Sequence, residues 1–144
     1  MVLNISESEI ATVLDYATLI PAMERTLSDF SEGKSIQPVR QMLVVEESQR
    51  FLGVMPAVTG EVMGAKLVCF YPKNADTSFP THLATITLFS SETGQPLAFM
   101  DGRLITEMRT AAVSAAITKY LAPAKSKVLA MLGQVCLMLA DLLK

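Results

Sequence analysis

Gln95-Pro96-Leu97-Ala98-Phe99-Met100-Asp101-Gly102, followed by the alanine-rich run 103–121, sets the frame for the rest of the chain. It reads as a strand, a tight Asp-Gly turn and a helix. Ala111, Ala112, Ala115 and Ala116 recur at helical spacing. Alanine has the best helix propensity, and its small side chain lets a neighbouring element come close. Thr106 reads as the N-cap, which puts Arg109 in the first turn. A cation is out of place there, because a helix N-terminus favours negative charge. An anion held by free N–H groups and the guanidinium would explain it, and a solvated surface arginine is the alternative.

Working back from this helix, residues 83–89 alternate apolar and polar side chains. They connect through Ser90-Ser91-Glu92-Thr93-Gly94 to residues 97–100, which predicts an antiparallel hairpin. Residues 39–45, 51–58 and 65–71 are three further strand candidates, separated by polar or glycine-containing turns. Ahead of them, Ser6-Glu7-Ser8-Glu9 has the spacing of a capping box and opens a short helix. A second helix is expected to begin near Pro21, in a first turn that tolerates proline, and to stop at Gly33. Pro123 ends the alanine helix, and residues 127–132 read as a short apolar strand. The fold class is therefore α+β, with two N-terminal helices, a mostly antiparallel sheet and the alanine-rich helix.

A chain of 144 residues suffices for one domain with a core, and an apolar fraction of 51% means that much of its surface needs cover. The net charge of −2 offers no basic stripe for nucleic acid. Cys69 and Cys136 form neither a metal spacing nor a disulfide framework, which fits a reducing compartment. The first residues carry Asn4, Ser6, Glu7 and Glu9 instead of a basic-apolar leader, so a cytoplasmic location is expected.

Three side chains are candidates for chemistry. Arg40 opens a predicted strand, and Lys66 shares a strand face with Val68 and Phe70. Such a lysine either snorkels to solvent or is partly desolvated, its pKa lowered toward proton-transfer work. His82, the single histidine, follows Pro80-Thr81 and carries no conclusion by itself. The nine methionines fit adaptable packing.

Gln37-Pro38-Val39-Arg40, Phe51-Leu52-Gly53-Val54-Met55-Pro56-Ala57, Lys66-Leu67-Val68 with Phe70-Tyr71, and Pro80-Thr81-His82-Leu83-Ala84-Thr85 together resemble the ornithine cyclodeaminase and mu-crystallin family. Met100-Asp101-Gly102 and Arg109-Thr110-Ala111-Ala112-Val113-Ser114-Ala115 extend the resemblance over nearly all of residues 1–133, closest to its mu-crystallin branch. Ornithine-specific members carry a glutamate three residues before the proline that corresponds to Pro56. Gly53 stands there, which argues against ornithine.

The resemblance implies a homodimeric, two-domain reductase of cyclic ketimine carboxylates that uses NADPH or NADH, and a branch that also binds thyroid hormone. It implies a substrate-binding and dimerisation domain over 1–122, and the first strand of a dinucleotide-binding (Rossmann) domain over 123–133. Arg40 and Arg109 would hold the substrate carboxylate, and Lys66 would act at the imine end. Thr81, His82 and Thr85, with Arg109 nearby, would border the cofactor. Residues 134–144 depart from the pattern: Val135 and Met138 occupy the later glycine positions of the G-x-G-x-x-A/G turn. An alternative transcript or a gene-model error would both give such a truncated member. Its apolar stretch 135–143, too short to span a bilayer, is expected to fold back as a helix. A non-catalytic dimerising or hormone-binding module, or a product without stable function, are the alternative readings.

Overall fold

The computed structural model describes residues 1–46 and 49–130. Local chemistry sets the helix ends. Ser6 caps α1 (Glu7–Val13): its hydroxyl accepts from the Glu9 N–H, and the Glu9 carboxylate accepts from the Ser6 N–H at 2.8 Å, which completes the capping box. Asp15 caps α2 (Tyr16–Ser31) by accepting from the Thr18 N–H at 2.9 Å. This corrects the expected start at Pro21, which lies inside the helix. A carboxylate N-cap with a free N–H above it nucleates the helix before the proline is reached. At the far end Gly33, at φ 74°, lets the Lys34 N–H return to the Asp29 carbonyl at 2.8 Å and the Gly33 N–H to that of Phe30 at 3.1 Å. That pairing satisfies carbonyls the helix leaves open.

The strands are β1 (Leu3–Ile5), β2 (Ser35–Ile36), β3 (Gln41–Glu46), β4 (Arg50–Thr59), β5 (Val62–Phe70), β6 (His82–Ser90) and β7 (Pro96–Asp101). They form one seven-stranded sheet in the order β1-β7-β6-β5-β4-β2, with β3 also paired to β4. Every pairing is antiparallel except that of β1 with β7. Between β5 and β6 lies a 3-10 turn, Pro72–Asp76. The break between β2 and β3 explains a proline inside β4. Pro56 lies between Val54, which pairs Gln41 of β3, and Val58, which pairs Ile36 of β2. No third strand asks for its missing N–H.

Helix α3 (Arg103–Leu121) lies on one face of the sheet, against β6, with α2 packed on it. Ala111 and Ala112 are fully buried and Ala116 nearly so, the close approach that an alanine stripe permits. Successive side chains point to opposite faces of the sheet, and the two faces are covered unequally. Ala84 and Ala98 are buried on the helix side, while Leu43, Leu67, Leu83, Leu97 and Phe99, on the other face, remain 37% to 58% exposed. No side chain larger than alanine is fully buried among the described residues, so the core is thin.

Two expectations need correction here. The helix starts at Arg103 with Gly102 as N-cap, not at Thr106, so Arg109 stands in the second turn. Asp101 begins it early by accepting the Arg103 N–H at 2.8 Å. Residues 127–130 form no strand and pair with no strand of the described sheet. The remainder of that expected strand, the apolar stretch 135–143 and Cys136 lie outside the described residues. No helix among the described residues is long and apolar enough to cross a membrane.

Candidate functional site

The sheet register puts a row of side chains on the face that carries α3. Lys66 pairs Met55 on one side and Ile86 on the other, and Ile86 pairs Met100. Gln41 pairs Val54, so Arg40, one residue earlier, enters the sheet beside Met55. The kink through Pro38 that separates β2 from β3 thus delivers Arg40 to the edge of the row. From above, α3 contributes Thr106, whose Oγ1 accepts from Lys66 Nζ at 3.3 Å. Arg109 follows Thr106 by one helical turn, and residues three apart share a helix face.

This arrangement gathers positive charge that no ion pair neutralises among the described residues. No carboxylate lies within 4.0 Å of a side-chain nitrogen of Arg40, Lys66 or Arg109 among the described residues. The nearby acids are committed elsewhere. Arg103 donates through Nε to Glu7 Oε2 at 2.7 Å and through Nη2 to Glu7 Oε1, and its Nη1 donates to Glu107 Oε1 at 3.0 Å. The Glu7 bond, above all, holds the Arg103 guanidinium above its ordinary pKa. Burial, with Arg109 and Arg40 adding to it, pushes the Lys66 ammonium down to about 8. Arg109 is lowered too, by burial and then by Arg40. Two half-buried cations, Lys66 and Arg109, with the exposed Arg40 beside them, are poised to take up an anion.

His82 opens β6 opposite Phe70, on the same face as Lys66. Burial and then Lys66 lower its pKa, with Arg103 and Arg109 acting the same way and Glu107 opposing them. Thr81 stands at the mouth of β6, where its carbonyl accepts the Tyr71 N–H at 2.8 Å. Thr85 pairs Leu67 and points to the opposite face. Of the expected site residues, the fold therefore brings Arg40, Lys66, His82 and Arg109 to one face and Thr81 to its edge, and leaves Thr85 out. Sequence reasoning missed Arg103 and its two acids. The i,i+4 spacing of Arg103 and Glu107 was a usable signal, whereas nothing local announces Glu7, 96 residues away.

Gly53 is buried on the same face, between Met42 and Val68. A Cβ there would meet Val68 Cγ1 at 2.9 Å and Met42 Sδ at 3.3 Å. A longer side chain enters only if those two neighbours move.

Residues 1–138 match the profile of the Ornithine cyclodeaminase/mu-crystallin family. The ketimine reductase mu-crystallin of Mus musculus is 46% identical over 120 residues, which is 80% of this chain and 38% of that protein. The Thermococcus litoralis delta(1)-pyrroline-2-carboxylate reductase, solved with NADH and L-proline, superposes with a TM-score of 0.83 at 37% identity, over 87% of this chain and 39% of that one. An archaeal alanine dehydrogenase dimer with bound NAD gives 0.82 at 33% identity, over 87% and 38%. The chain thus spans well under half the length of the relatives it matches. The family match takes in every helix and strand described above, and the chain belongs to the ornithine cyclodeaminase/mu-crystallin family.

Proposed function

We propose that this chain is the carboxylate-binding half of an NAD(P)H-dependent reductase of cyclic ketimine carboxylates, acting in the cytoplasm. The observation that carries the reading is the unneutralised trio Arg40, Lys66 and Arg109 on one sheet face. A planar carboxylate matches guanidinium forks, and two arginines can grip it from different elements. Lys66, with its pKa near 8, holds a proton at neutral pH and can share it with an imine nitrogen next to the carboxylate. That combination orients a ring whose imine carbon is to be reduced, and it requires no nucleophile. L-proline, which accompanies the Thermococcus relative, is the reduced form of such a ring.

The hydride would come from a nicotinamide. His82 and Thr81 would border its ring beside Lys66, whereas Thr85 faces away. The described residues do not fit the rest of a dinucleotide. The start of α3 offers a pyrophosphate a poor seat, since the Gly102 N–H donates to the Ala84 carbonyl and the Arg103 N–H to Asp101 Oδ1, each at 2.8 Å. The start of α1 is closed by its own capping box. Hydride transfer therefore depends on segments beyond the described residues.

The exposed apolar face around Leu67, Leu83 and Phe99 supports a homodimer that covers it, and the archaeal alanine dehydrogenase relative is described as a dimer. Thyroid hormone, whose amino-acid end also carries a carboxylate, is a second ligand of the same chemical type. Calorimetric titration with pyrrole-2-carboxylate, a planar stand-in for the ketimine, tests the assignment. Loss of either arginine, in Arg40→Ala or Arg109→Ala, should weaken binding roughly 10- to 100-fold, the worth of a charged hydrogen bond. Unchanged affinity in both variants would overturn the reading.

A further inference from the structure

Three repelled cations need something that keeps them facing the same space. Lys66 has a flexible four-carbon stem, and its neighbours Arg40 and Arg109 both drive its charge away. His82, on the adjacent strand, feels Lys66, Glu107, Arg103 and Arg109 and adds no anion. Glu7 of α1 and Glu107 of α3 are held by Arg103, and Glu9 is held by Ser6. Without a tether, the ammonium would swing along its stem into water.

We infer that Thr106 is the positioning residue for Lys66, its hydroxyl tying the lysine of β5 to the helix that carries Arg109. The bond between Nζ and Oγ1, 3.3 Å long and partly buried, is the one polar contact of Lys66 among the described residues. The tether is itself fixed. The Thr106 N–H donates to the Gly102 carbonyl at 2.9 Å, and the Thr106 carbonyl accepts from Thr110 Oγ1 at 2.6 Å. Arg109 sits one turn further along the same helix, so Thr106 sets the separation between lysine and arginine. The residue type matters as much as the place. A hydroxyl accepts from an ammonium and donates to a neutral amine, so it keeps Lys66 in place in both protonation states. A carboxylate at this position would also anchor the lysine, but it would neutralise the cluster and compete with an incoming anion.

The inference rests on the proposed carboxylate site, and its test separates the two. The protein is the full chain with isotope-labelled lysine, as wild type, Thr106→Val and Thr106→Ser. Valine keeps the shape and removes the hydrogen bond, and serine restores it. In wild type the Lys66 Nζ resonance should titrate near 8. In Thr106→Val the midpoint should move up toward the ordinary value of 10.5 as the ammonium escapes to solvent. Affinity for pyrrole-2-carboxylate should fall roughly five- to tenfold, the worth of one neutral hydrogen bond, and Thr106→Ser should recover both readouts. An unmoved midpoint in Thr106→Val overturns the positioning role even where the wild type binds the carboxylate. A wild type that binds no carboxylate overturns the substrate reading, and the midpoint still decides for or against Thr106.

Discussion

Replacing Lys66 by methionine should make the free chain more stable at neutral pH. Methionine keeps most of the apolar stem and removes a charge that burial, Arg109 and Arg40 all penalise. The fall from 10.5 to about 8 converts at about 1.4 kcal/mol per pH unit to roughly 3–4 kcal/mol. Lys66 is only half-buried, and solvent screening reduces this to roughly 1–2 kcal/mol, or roughly 3 to 8 °C in melting temperature. The sign with pH follows from the lowered pKa. Below about 8 the lysine is charged in both folded and unfolded chain, and the whole penalty is present. Between about 8 and 10.5 the folded chain has released the proton that the unfolded chain still binds, so stability rises with pH. Above that range the penalty is gone. Differential scanning calorimetry of wild type and Lys66→Met from pH 6 to pH 10 should therefore show a gap that favours methionine and closes as pH climbs past about 8. A variant that is less stable than wild type at pH 7, or a gap independent of pH, would refute the reasoning and return Lys66 to solvent.

Other substitutions probe the frame around the site. Arg103→Ala removes the bonds from α3 to Glu7 and Glu107 and should cost about 1–2 kcal/mol at low salt, less as salt rises, in chemical denaturation. Gly102→Ala forces a Cβ to within 3.0 Å of Ala84 Cβ; denaturant titration should show a loss of about 1–3 kcal/mol, partly recovered by adding Ala84→Gly. Titration of NADPH or NADH fluorescence with the chain alone should give no saturable change, and a micromolar dissociation constant would contradict the poor fit described above.

What was legible in the sequence was local. Ser6 with Glu9, and Gly33 after a helical run, announce their helix ends because the partners lie within a few residues. The β6–β7 hairpin was readable for the same reason, since a short polar turn joins two alternating segments. Pro21 misled because the carboxylate cap at Asp15, well before it, forms the first turn regardless. The parallel pairing of Leu3–Ile5 with β7 was invisible, since the two partners are joined by most of the chain. At the site, the types Arg40, Lys66 and Arg109 could be picked out, and so could the face Lys66 shares with Val68. Which face Thr85 takes depends on its register with Leu67, a fact of pairing that no strand states alone. Thr106 was noticed for the wrong reason. Its hydroxyl looked like a cap, and only the early helix start at Arg103 turns it toward Lys66.

The most direct test of the central claim is a structure of the chain crystallised with pyrrole-2-carboxylate. The account predicts the carboxylate on the α3 face of the sheet, its oxygens about 3 Å from the guanidinium nitrogens of Arg40 and Arg109. The ring nitrogen should lie toward Lys66 Nζ, with Thr106 still bonded to that lysine. A ligand seated elsewhere, or Arg40 and Arg109 turned away from a carboxylate bound between them, would contradict it.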